Sequence, residues 1–356
     1  MTARRPCTEV SLADRLLSLG ARVSLGALGL RHGHDRRLSI LIFHRVLRQP
    51  DPMFPAEVDA ARFDRFMRLV AASFQVLPLA DAVARLQQHR LPPRALSITF
   101  DDGYADNHDV ALPILQRHGL TACFFIATGF LGGGRMFNDT VIECLRHSSQ
   151  SRLDLAALDL GVLPLDTPAQ RAQAVSQVLP RIKYMTPDQR PQALALLQRA
   201  CAPAHLPDDL MMTTTQVQAL HAAGMEIGAH TVRHPILCRV DDATAERELL
   251  DSRAALQQII QHPVTLLAYP NGQPDRDYDL RHAQMARSLG FSAAVTTAPG
   301  AAGADADVFQ LPRFTPWDTN AAPWLARLVA TRRHRHFRCA SGGVPAGGHQ
   351  VAGARL

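Results

Sequence analysis

The chain has 356 residues, 47% of them hydrophobic, and a formal net charge of +6, which together supply a substantial core and exclude a mostly disordered chain. The positive charge sits at the ends: residues 1–37 hold seven arginines against three acids, and residues 331–356 hold five arginines and no acid. The body between them is slightly acidic, which argues against the basic folded face of a nucleic-acid reader.

In chain order, the basic segment 1–37 contains LLSLGARVSLGALGL, a run interrupted by Arg22 and followed by no clean small-residue cleavage site. An amphipathic surface helix fits it better than an export signal. Solvated tails are the simplest reading of the two basic ends, with contact to an anionic membrane surface or an acidic partner as the alternative. No stretch of 18 uncharged apolar residues occurs, so no transmembrane helix is expected. From residue 38 strand and helix patterns alternate. LSILIFH (38–44) is an apolar strand, and residues 61–74 have helical spacing with Phe63, Phe66, Leu69 and Val70 on one face. A short strand (75–79), a helix (80–90), a strand (95–100), a helix ending at Gly119 and a buried strand (121–128) follow. The rhythm breaks over residues 131–212, where a glycine-rich loop through Asp139 leads into a polar, Leu- and Gln-rich helical insertion. It resumes with a threonine-capped helix (213–224), a strand (225–230), a long helix (242–260), a strand (264–270), a helix (277–290), strands at 291–297 and 309–314, and a last helix (321–333). The basic tail 331–356, Gly/Ala-rich from Cys339 onward, is expected to be disordered.

Repeated strand–helix units without a GxGxxG turn predict a distorted (β/α) barrel of about seven parallel strands, catalytic over residues 38–330, with the helical insertion inside it. Such a barrel does its chemistry at the C-terminal strand ends. Five strands deliver polar groups there: His44, the pair Asp101 and Asp102, His230 with His234, Tyr269 to Gly272, and Arg313 with Trp317 beyond it. Each alone has a plain structural explanation, since an Asp-Asp-Gly is usually a capped turn and an HxxxH pair is usually on a surface. Together, one carboxylate and two imidazoles make a three-donor set for a hydrolytic Zn²⁺ or similar ion. The second carboxylate is then free to act as a base on water whose pKa the metal lowers to about 7. The six cysteines form no CxxC pair, which disfavours a zinc knuckle or disulfide framework and fits a reducing compartment.

At these residues the sequence resembles the polysaccharide deacetylases, the NodB-homology domain also called carbohydrate esterase family 4. TFDDGY (99–104), HTVRHP (230–235) and AYPNG (268–272) resemble the family's first three motifs, and IFHRV (42–46) resembles the first strand of its exopolysaccharide-deacetylase branch. The resemblance implies Asp101 as catalytic base and Asp102, His230 and His234 as ligands to a divalent ion, Zn²⁺ first and Co²⁺ or Ni²⁺ as alternatives. It also implies that the Asn271 N–H helps hold the oxyanion. The family's third-motif arginine falls at Ala268 here, and Arg313 is the candidate to supply that guanidinium from another strand. With no LxH motif evident, His44 is the candidate general acid. Tyr269 and Trp317 are candidate sugar contacts.

The implied reaction is metal-dependent hydrolysis of N-acetyl groups on a bacterial polysaccharide or glycan precursor, with release of acetate. An O-acetyl esterase, or a glycan-binding protein that keeps a metal without catalysis, is the alternative. The expected partner is the acetylated glycan, with no nucleic acid and no obligate protein. The expected location is cytoplasmic, at the inner membrane face.

Overall fold

The computed structural model describes residues 12–31, 36–185, 189–333 and 337–341. Its strands are β1 (Ser39–Phe43), β2 (Gln75–Val76), β3 (Ala95–Phe100), β4 (Cys123–Ile126), β5 (Arg152–Asp154), β6 (Val162–Pro164), β7 (Glu226–Ala229), β8 (Leu266–Ala268), β9 (Ala293–Pro299) and β10 (Leu311–Arg313). Its helices are α1 (Leu12–Arg31), α2 (Ala60–Ser73), α3 (Leu79–Gln87), α4 (Leu112–Arg117), α5 (Phe137–Arg146), α6 (Pro168–Lys183), α7 (Gln189–Cys201), α8 (Thr214–Ala222), α9 (Asp242–Ile260), α10 (Leu280–Ser288) and α11 (Ala321–Thr331).

Seven strands run in the order β1-β3-β4-β7-β8-β9-β10, each pairing parallel. The ends meet where Ile42 N–H donates to Phe314 O at 3.1 Å and Phe314 N–H to Ile40 O at 2.7 Å, so the sheet nearly closes into a distorted barrel. Strands β1, β3 and β4 are buried at every residue, as expected where helices cover one side and the barrel interior the other. Phe43, Phe63, Phe100 and Phe124 form a ladder of rings through this core. In β7, Gly228 is required by packing: a Cβ there would stand 2.4 Å from the Phe125 ring.

Several boundaries move for local reasons. The strand expected over 75–79 is only β2, which pairs with the first two residues of β3 before Pro78 precedes α3. The helix expected through 107–119 opens as a π-turn over Asn107–Ala111, with Leu112 N–H donating to Asn107 O. Pro113 has no N–H to continue an α-helical ladder, and the wider turn accommodates it. The loop expected through Asp139 stops at Met136, because the Asp139 carboxylate caps α5 by accepting from Met136 N–H at 2.8 Å.

Between residues 131 and 212 the structure holds α5, α6 and α7 and also a hairpin of β5 and β6, too short to be legible in the sequence. These elements share a core of their own, with Val141, Leu145, Leu153, Val175, Val178 and Leu197 buried. Residues 337–341 depart from the expected disordered tail. Ala340 is buried, its N–H donates to Gln310 Oε1 at 2.6 Å, and Ser341 N–H donates to Asp275 Oδ1 at 2.8 Å. Small side chains with free backbone donors fit there, although their composition suggested no packing. The rest of that expectation, like residues 1–11, lies largely outside the described residues.

Candidate active site

Every residue of the expected site lies at or beyond the C-terminal end of a barrel strand. Asp102 follows β3, and His230 follows β7 directly. Asp102 Oδ1 is 3.3 Å from His230 Nε2 and 3.4 Å from His234 Nε2. The His230 Nδ1–H donates to Ala268 O at 2.7 Å, which leaves Nε2 turned toward the carboxylate. His234 is carried back by a tight turn. Thr231 Oγ1 accepts from His234 N–H at 3.1 Å, and Thr231 and His234 adopt φ of +65° and +54°. Asp102 (φ +75°) and Asn271 (φ +60°) share this left-handed conformation. Such backbone in non-glycine residues is costly and clusters where function requires a fixed geometry.

The turn is pinned from outside. Glu248, in α9 and nearly fully buried, accepts from Val232 N–H and Arg233 N–H through Oε2, both at 2.8 Å, and from Arg233 Nε through Oε1 at 2.8 Å. A Glu in the middle of a long polar helix carries no sequence signal for this task.

Asp102, His230 and His234 fit a divalent ion. Three ligand atoms held about 2.0–2.1 Å from a tetrahedral centre stand about 3.3–3.4 Å apart, which matches the two measured separations. The Ala268 carbonyl orients His230 as such ligands usually require. Burial, with the His230 and Lys183 charges, outweighs Asp102 and lowers His234 to about 3, so its imidazole is neutral at physiological pH. Burial would also lower His230, but the hydrogen bond to Asp102 and the charge of Asp101 raise it above the ordinary value. A divalent ion held there would compete with any proton on His230. Glu248→Gln is expected to weaken metal binding about 10–100-fold, because a donor replaces one of the acceptors that shape the turn. Competition with a chromophoric chelator measures this, and unchanged affinity would remove Glu248 from the role.

Asp101 points to a different partner. Arg313 Nη1 and Nη2 donate to its two oxygens at 2.7 Å each, and both side chains are buried. Burial pushes the Asp101 carboxyl up, but the Arg313 guanidinium, together with the His230 and His44 charges, outweighs it and holds the group below the usual carboxylate range. Arg313 also donates to Thr296 O at 2.7 Å and Thr99 Oγ1 at 3.1 Å, so it braces β3 and β9 as well.

His44, exposed beyond β1, lies close enough for its charge to act on both aspartates. The Asn271 carbonyl accepts from Thr297 Oγ1 at 2.8 Å, while its own N–H has no acceptor among the described residues. Trp317 is 58% exposed past β10. Tyr269 corrects the sequence expectation. It is fully buried, stacked 4.2 Å from Tyr278, with its hydroxyl donating to Phe309 O at 3.0 Å, so its ring offers no face to a sugar. Lys183 was missed. It ends α6, and its charge reaches Asp102 and His234. Its being the only lysine was the available signal.

A second donor grouping, Cys238, Asp279 and His282, is explained by helix capping. Asp279 accepts from Arg281 N–H and its side chain, and His282 Nδ1 accepts from Asp279 N–H at 3.1 Å.

The fold and this rim define a hydrolase-type barrel, and the comparisons place it. A family model described as polysaccharide deacetylase matches residues 88–148 and 183–294, and the chain belongs to that family. YxkH of Bacillus subtilis (strain 168), whose name assigns it to the polysaccharide deacetylases, is 22% identical over 283 residues, covering 78% of this chain and 70% of its own. The Streptococcus pyogenes deacetylase PplD, solved with acetate, superposes with a TM-score of 0.56 at 19% identity, over 83% of this chain and 99% of that one. BC0361, a polysaccharide deacetylase from Bacillus cereus, gives 0.52 at 15% identity, over 83% and 69%. The chain is accordingly an enzyme that deacetylates polysaccharide.

Proposed function

We propose that the protein hydrolyses N-acetyl groups of a bacterial polysaccharide or glycan precursor and releases acetate, with a divalent ion, Zn²⁺ first, at Asp102, His230 and His234. The observation that carries this is the pairing of that donor set with an adjacent carboxylate, Asp101, kept ionised by Arg313. When bound, the ion supplies Lewis acidity toward the acetyl carbonyl and lowers the pKa of water beside it. Asp101, ionised and fixed in orientation, takes the proton of the attacking water. The Asn271 N–H is available to donate to the oxygen on which negative charge develops. His44, on the solvent side of the two aspartates, is the group to protonate the departing amine. Trp317 offers an exposed ring to a sugar.

Acetate release from N-acetylglucosamine oligomers and acetylated xylan, after stripping and reloading with Zn²⁺, Co²⁺ or Ni²⁺, tests the proposal. Metal-dependent acetate from the amide substrates supports it. No acetate from any folded, metal-loaded preparation, across glycans of several linkages, would count against it. His44→Ala separates amide from ester chemistry. An amine is a poor leaving group without a proton, so amide turnover should fall about 10²–10⁴-fold while ester turnover changes little. Equal amide activity in the variant would exclude His44 as the acid.

A further inference from the structure

We infer that α1 docks the enzyme on an anionic lipid bilayer, lying in the surface rather than crossing it. Leu12, Leu16, Leu19 and Val23 are 74%, 61%, 57% and 64% exposed. Their spacing of four, three and four residues places them on one stripe of a helix of 3.6 residues per turn. The opposite side of the helix does the internal packing. There Ala21 is buried against the core, and Asp14, only 3% exposed, pairs with Arg65 at 3.0 Å and Arg68 at 3.1 Å. The helix therefore has an apolar side that its own fold does not use. Four large aliphatic side chains in one exposed line are unusual on a soluble surface and mark an interaction site.

A groove of about 850 Å³ runs beside the stripe, between α1 and α11, lined by Leu16, Leu17, Ala322, Leu325 and Val329, with Arg65 and Arg333 among its lining residues. It shares no residue with the candidate active site. Charge decides the occupant. Arg15 and Arg22 are exposed on α1, and its one described acid, Asp14, is turned inward. A second copy of the chain would bring these arginines against their equivalents, whereas an anionic headgroup layer compensates them as the aliphatic stripe enters the acyl boundary. No helix among the described residues is long and apolar enough to cross a membrane, which leaves surface attachment as the geometry.

The test is co-sedimentation of the full chain with vesicles of phosphatidylcholine alone and of equal parts phosphatidylcholine and phosphatidylglycerol, at low and high salt. Binding to the anionic vesicles that salt weakens is expected. Leu16→Asp with Leu19→Asp should weaken it more than tenfold, and Arg15→Gln with Arg333→Gln by roughly tenfold. All four positions are exposed, and an unchanged thermal melt checks that the variants fold. A Leu19→Trp variant gives a second reading, its emission shifting to the blue on anionic vesicles. Absence of vesicle binding, equal binding to neutral vesicles, or unchanged binding by the Leu16/Leu19 variant would each overturn the inference. So would a dimer in analytical ultracentrifugation that the same variant dissolves, because the stripe would then serve a second copy.

Discussion

Asp101→Asn is expected to lower kcat for deacetylation by about 10²–10⁴-fold, the usual contribution of a positioned base, while the protein still binds one equivalent of metal. Asn fills the same volume, and its carbonyl still accepts one of the two Arg313 donors. Its NH₂ opposes the other, so a loss of stability accompanies the loss of turnover. The proposed metal donors are the neighbouring Asp102 and the two histidines, whose contacts do not pass through Asp101. A drop in kcat with metal content intact therefore isolates proton removal from ligation. The measurement pairs acetate release with metal analysis of the purified variant. Turnover within a few-fold of wild type would mean that another group takes the proton, with His44, on the same rim, the next to examine.

The grouping of the candidate site was largely legible because its parts are local in sequence. An aspartate pair after an apolar strand, and two histidines four apart before a proline, keep their meaning without tertiary information. The barrel was legible for a similar reason, since buried parallel strands read as apolar runs between helix-spaced segments. What depended on long-range packing was less so. Glu248 reaches the histidine turn from fifteen residues downstream, through backbone N–H groups that no side-chain pattern encodes. Tyr269 was placed on the rim by its position at a strand end, but the Tyr278 ring and the Phe309 carbonyl hold it inside. The π-turn at Asn107 and the β5–β6 hairpin were beyond reach because each occupies only a few residues. The aliphatic stripe of α1 was visible as amphipathic, yet which of its sides faced the protein required the buried Asp14 pairs.

Arg313→Met should show its effect in two independent ways. Removing one partner of a buried, hydrogen-bonded ion pair costs about 3–5 kcal/mol, because the remaining charge stays desolvated. Here the loss also strands Thr296 O, which accepts from Arg313 Nε at 2.7 Å. The sign of the pH dependence follows from Asp101. In the wild type its folded pKa is depressed, so the stabilisation it brings is present above the unfolded value of about 3.9 and disappears as pH falls through the folded pKa. In the variant, burial remains and the largest opposing cause is gone, so the carboxyl moves upward. The stability gap between the two proteins should then be widest at neutral pH and narrow under acid, when Asp101 is protonated in both. In catalysis, the acid limb of kcat/KM should shift toward neutral pH, because the base is now protonated over part of the working range. Arg313→Lys restores the charge without the two-pronged hydrogen bonding and should recover part of the limb's position but less of the turnover. Thermal melts across pH and a pH–rate profile of the metal-loaded variants read these effects separately. An acid limb that stays where the wild type has it would show that Arg313 braces the barrel without tuning Asp101.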